Sequence, residues 1–75
     1  MINTGTNSVV ATIPVGSNPL GVAITPNGQF AYVTNNNSNN VSVINTITNG
    51  VVATISVGSN PFGVAITPNG QFAYV

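Results

Sequence analysis

An internal repeat of 42 residues, a wealth of Val, Ile and Thr, and regularly spaced Pro, Asn and Gly predict an all-β fold. Sliding the sequence forward by 42 residues lays Ile2–Val33 on Ile44–Val75, and 28 of those 32 positions are identical. The exceptions are Gly5/Ile47, Ser8/Gly50, Pro14/Ser56 and Leu20/Phe62. A β-rich period of about 40–50 residues matches a β-propeller blade of four antiparallel strands. The chain holds about two blades. Two blades cannot close a ring, so the expected architecture is a propeller completed by oligomerisation.

Each element follows from local chemistry. Residues 1–15 correspond to the end of a repeat and predict a partial blade. Within it Val9–Val15 matches Val51–Val57 and predicts a strand-four complement, preceded by a stub of strand three. Residues 16–57 form the complete blade. Its first strand is Gly21–Thr25. Pro26-Asn27-Gly28 is a turn, because Pro presets φ and Asn-Gly tolerates positive φ. Strand two is Gln29–Thr34, with Phe30 and Tyr32 on one face and Ala31 and Val33 on the other. The run Asn35–Asn40 reads as a solvated polar loop. Strand three is Val41–Asn45, Thr46–Gly50 is a turn, and strand four is Val51–Val57. Residues 58–75 restart the pattern as a partial blade, with strands one and two at Gly63–Thr67 and Gln71–Val75. Gly21 and Gly63 serve either strand crowding near a central axis or a simple bend after Pro-Leu or Pro-Phe.

Composition excludes whole classes of function. The chain has no Lys, Arg, Asp, Glu, His or Cys. No side chain can serve as a general acid or base near neutral pH. The usual ligands of transition metals are missing, and a calcium site without carboxylates would be weak. No metal or other cofactor is expected. Phosphate neutralisation has no cations to supply it, so nucleic acid is not a partner. No apolar run reaches the roughly 18 residues of a membrane-spanning helix, and the start lacks the basic and apolar regions of an export signal. A chain of 75 residues without disulfides or metal needs another staple, and oligomerisation is the one left. The expectation is a non-enzymatic, self-assembling structural module. An amyloid-like fibre suits the uncharged composition, but Pro and Gly repeated in register favour blades.

The motif Tyr32-Val33-Thr34-Asn35 then resembles the YVTN β-propeller repeat family. The pattern extends through Val41-Ser42-Val43-Ile44-Asn45-Thr46, Val51-Val52-Ala53-Thr54-Ile55, Val57-Gly58, Asn60-Pro61, Gly63-Val64-Ala65 and Thr67-Pro68-Asn69-Gly70. The resemblance implies seven- or eight-bladed rings, often on microbial cell surfaces. An extracellular or cell-surface location is suggested by this resemblance only. The family usually has Asp where Asn27, Asn45 and Asn69 stand, and Lys or Arg near Gln29 and Gln71. Without those charges, the rim on which a binding or catalytic site would depend is missing.

The chain begins and stops inside a blade, nine residues short of two full periods; the gap corresponds to Thr34–Ser42. The expected activity is blade completion between identical chains. Three copies would give six blades and four would give eight; a filament results if the rotation does not close. The interface is assigned to Val9, Val10, Ile13 and Val15 from one end and Phe72, Tyr74 and Val75 from the other. An excised piece of a longer repeat protein is the competing explanation of the ends. A small neutral ligand such as a glycan, stacked on Tyr32 or Tyr74, is the alternative function. Phe30, Phe62 and Phe72 read as interblade core. Asn36-Asn37-Ser38 and Asn40-Val41-Ser42 are glycosylation sequons.

Overall fold

The computed structural model describes residues 1–5, 8–9 and 11–75, with the backbone alone for residues 3, 8 and 9. Among the described residues, eight strands form three antiparallel sheets. The first pairs β1 (Ile2–Asn3) with β2 (Ser8–Val9). The second runs in sequence order through β3 (Pro19–Ile24), β4 (Phe30–Asn35), β5 (Asn40–Asn45) and β6 (Gly50–Ser56). The third pairs β7 (Ala65–Ile66) with β8 (Ala73–Tyr74). The chain is therefore all-β, built on a four-stranded antiparallel sheet flanked by two half-sheets.

The turns follow the local chemistry. Between β3 and β4, Gly28 takes φ +76° and its N–H donates to Thr25 O at 2.8 Å. The Asn27 carboxamide oxygen accepts from the Thr25 hydroxyl and the Gln29 N–H, at 2.7 and 3.0 Å. Between β5 and β6, Asn45 Oδ1 accepts from the N–H groups of Ile47 and Thr48, and Asn49 takes φ +57°. Asn tolerates this left-handed region better than other residues with a Cβ. The repeat preserves these choices: Asn18 and Asn60 take φ +55° and +54°, and Gly28 and Gly70 take +76° and +74°.

The core lies along β5. Val41, Val43 and Ile44 are buried on it, together with Ala31 on β4. Among the described residues, Thr34, Asn35 and Ser42 are the buried polar ones. The expected Asn35–Asn40 loop is shorter than its sequence suggests: Asn35 closes β4, Asn40 opens β5, and their backbones pair. Asn35 is fully buried rather than solvated.

The half-sheets repeat the register of the complete sheet. Ile2↔Val9 and Asn3↔Ser8 are Ile44↔Val51 and Asn45↔Gly50 shifted by one period. Ala65↔Tyr74 and Ile66↔Ala73 are likewise Ala23↔Tyr32 and Ile24↔Ala31. Their strands are shorter than expected. Ala11–Val15 carry no strand, against the expectation of Val9–Val15. The reason is the short partner: β1 offers two residues to pair, whereas β5 offers six to β6. The same fraying trims Gly63–Thr67 to Ala65–Ile66 and Gln71–Val75 to Ala73–Tyr74.

Candidate functional site

A polar clasp joins the complete sheet to the segment that follows it. Thr34, near the end of β4, is fully buried. Its hydroxyl accepts from the Gly21 N–H at 2.9 Å and donates to Phe62 O at 2.8 Å. One side chain thereby ties β3, β4 and the start of the next half-sheet. The Asn36 amide donates to Pro61 O at 3.1 Å. Asn39 accepts from Asn60 N–H through its side chain and from Val57 N–H through its backbone, at 2.8 and 3.1 Å. On the other side, Asn36 N–H and Asn37 N–H donate to the carbonyls of Asn18 and Ser17, and Ser38 Oγ accepts from Ser17 N–H.

Gly21 is chosen by this clasp. A Cβ there would sit 2.6 Å from Phe62 O and 3.0 Å from the Thr34 hydroxyl. Crowding between strands, not a bend, is its reason. Gly16 packs as closely over Asn35, where a Cβ would sit 2.7 Å from Asn35 Cγ. The Asn35 amide donates to Asn40 Oδ1 and Ser42 Oγ, each at 2.9 Å, while its carbonyl oxygen is buried without a partner among the described residues.

This network decides what the Asn run does. The amides of Asn35 and Asn36 and the side-chain oxygens of Asn39 and Asn40 are engaged within the chain, while Asn37 and Asn39 are exposed. The sequons are occupied in the same way. Asn36 is half-buried with its amide committed to Pro61, and Ser42 is buried beneath Asn35. The clasp was missed as a site from sequence, although its signal was present: Thr34 and Asn35 are the last two letters of the Tyr-Val-Thr-Asn motif.

The assigned interface residues fall in two places. Ile13 and Val15 are half-buried and line a cleft of about 370 Å³ against Val22, Ile24 and Ile44 of the complete sheet. Val10 lies outside the described residues, and for Val9 the backbone places it in β2. Phe72, Tyr74 and Val75 are exposed on the last half-sheet, with Phe72 61% and Tyr74 69% accessible. Val75 and Ala73 line a second cleft of about 510 Å³ with residues of the Val57–Gly63 segment. Among the three Phe residues expected in an interblade core, Phe30 is half-buried, but Phe62 and Phe72 are exposed. Among the described residues no strand lies on the far side of β8 to cover Phe72. Tyr32, half-buried, borders a cleft of about 360 Å³ with Asn27, Phe30 and Asn69.

No family model and no curated protein matches the chain. A solved structure does: hydrazine synthase of Kuenenia stuttgartiensis, at TM-score 0.95 and 36% sequence identity over 97% of this chain. The match spans 21% of the hydrazine synthase chain, so this chain covers about a fifth of that protein's length. The finding overturns the expectation of a non-enzymatic chain, because the same arrangement of strands occurs within an enzyme. The physical reason is one of scale. A lack of acids, bases and metal ligands limits what these 75 residues do as side chains. It does not limit the chemistry of a larger protein in which such sheets form the framework.

Proposed function

We propose that this chain is a blade-forming β-propeller repeat of the YVTN type that assembles with copies of itself. The two half-sheets of neighbouring chains make one complete blade, and three or four chains close a ring of six or eight blades. The observation that carries this reading is the register. The first half-sheet carries the pairing of strands three and four of the complete sheet, and the last carries that of strands one and two. The halves are complementary rather than duplicate. A stack of two copies of the same half would not support blade completion.

By its likeness to a fifth of hydrazine synthase, the ring would be a framework in an enzyme-type assembly. Reacting groups or cofactors would come from elsewhere in that assembly, since the blade supplies only hydroxyls, carboxamides, tyrosines and backbone. The role of the residues named here is burial and ladder hydrogen bonding. Native mass spectrometry of the 75-residue chain tests the reading. A discrete trimer or tetramer is expected. A monomer at every concentration overturns self-assembly, and an open-ended series overturns the closed ring in favour of a filament.

A further inference from the structure

We infer that a second copy of this chain adds its β1 to the open edge of β8, pairing Phe72↔Asn3, Ala73↔Ile2 and Tyr74↔Met1, and seats its Leu20 carbonyl over Gly63. This rests on the assembly proposed above and specifies the joint.

The register comes from the complete sheet. There β4 and β5 pair as Phe30↔Asn45, Ala31↔Ile44 and Tyr32↔Val43. Moving β4 forward and β5 backward by one period gives the three intermolecular pairs. Each half is already set for them. β8 holds its β4-like register against β7, and β1 holds its β5-like register against β2. The Met1 amine also donates to Ala11 O at 2.9 Å, at the positions equivalent to Val43↔Ala53 of the complete sheet. Each β8 and β1 presents one edge without a strand neighbour among the described residues, and an edge with open N–H and C=O groups templates a further strand. The joint therefore falls on Met1–Asn3 rather than on Ile13 and Val15, which face the chain's own complete sheet.

The glycines give a second, independent sign. Gly21 is pressed against the carbonyl of Phe62 in the following sheet, but Gly63, its equivalent one period on, has nothing within 4 Å of a Cβ. Continuing the stack by one period places Leu20 of the second copy where Phe62 stands relative to Gly21. Gly63 is then a glycine whose reason lies in the neighbouring chain. Gly58 is also open, whereas its equivalent Gly16 is pressed by Asn35. The position equivalent to Asn35 one period on lies outside residues 1–75, and the proposed pairing of two such chains brings nothing to Gly58.

The chain has no cysteine, so introduced thiols report pairing cleanly. An Ile2→Cys chain is mixed with an Ala73→Cys chain and oxidised gently. Directly opposed antiparallel residues lie about 4.5–5.5 Å apart at Cα, within disulfide range, so a reducible heterodimer is expected. The mixture of Ile2→Cys with Phe72→Cys puts the thiols on opposite faces and should give little. The intrachain pair Ala31→Cys/Ile44→Cys sets the yield of a paired position. In parallel, Gly63→Val should keep the circular dichroism of the parent but weaken assembly at least tenfold, whereas Gly58→Val should assemble normally. If the parent assembles but neither the Ile2–Ala73 crosslink nor the Gly63→Val loss appears, this joint is wrong and self-assembly stands. If the parent chain is monomeric, both fall together.

Discussion

Ala31 and Ala73 occupy the same position of the repeat, inside identical stretches, Thr25–Val33 and Thr67–Val75. Ala31 is 8% exposed and buried in the core; Ala73 is exposed. Their hairpins are otherwise the same. Thr25 N–H and Thr67 N–H each donate to a Phe carbonyl at 2.9 Å, and the strand registers coincide. The difference is one strand: β5 lies on the far side of β4, and among the described residues no strand lies on that side of β8. Turn geometry and hairpin register are thus local properties of the sequence. Burial is a property of the next strand, wherever it comes from.

The largest test of that contrast removes the incomplete half. Deleting Phe72–Val75 should abolish assembly and leave the complete sheet β3–β6 folded, because its core residues Ala31, Val41, Val43 and Ile44 lie outside the deletion. Size-exclusion chromatography beside far-ultraviolet circular dichroism reads both. An unchanged oligomer would place the joint elsewhere; loss of all strand signal would mean that the complete sheet does not stand alone. Next in size is Gly21→Val. A Cβ at position 21 would sit 2.6 Å from the backbone carbonyl of Phe62, so the backbone must shift, and such overpacking costs about 1–3 kcal/mol. The β-propensity of Val pulls the other way, so a stabilised Gly21→Val chain in urea titration would remove the close approach from the account.

Thr34→Val separates the hydroxyl from the shape. It leaves the Gly21 N–H and the Phe62 carbonyl without their partner. Leaving part-buried groups of this kind unpaired costs about 2 kcal/mol in total. Thr34→Ser, which keeps the hydroxyl, should recover most of the loss. A Thr34→Val chain as stable as the parent, beside a destabilised Thr34→Ser chain, would show that the methyl group, not the hydrogen bonds, holds the clasp.

The same contrast explains what was readable in the sequence. The strand number of the complete sheet, its antiparallel order and its turns were legible because periodicity and Asn, Gly and Pro placement are local signals. The shortness of β2, β7 and β8 was not, because a strand's length depends on its partner. From sequence, Asn35 is a loop residue because it opens an Asn-rich run. Its burial comes from Gly16, Asn40 and Ser42, which only the folded sheet brings around it. From sequence, Ile13 and Val15 belong to an edge between chains. Their alternating apolar pattern is right for burial, but it does not say against which sheet. The framework likeness to an enzyme was beyond composition, which describes only side chains present in these 75 residues.

The smallest effect tests the local half of the contrast directly. The Asn27 and Asn69 side chains make matching bonds in the two hairpins. Each Oδ1 accepts from a Thr hydroxyl, at 2.7 and 2.6 Å, and from a Gln N–H, at 3.0 Å in both. A carboxylate accepts the same two bonds. Only the long contacts from the amide to Gln29 and Gln71, at 3.4 and 3.5 Å, are lost. Asn27→Asp and Asn69→Asp should therefore each change stability by less than about 0.5 kcal/mol, and by the same amount. The parent has no side chain that titrates between pH 5 and 7, so its stability should be flat across that range. A clear difference between the two variants in thermal unfolding would mean that the turns feel the missing strand, and that register in the half-sheets is not set by local sequence alone.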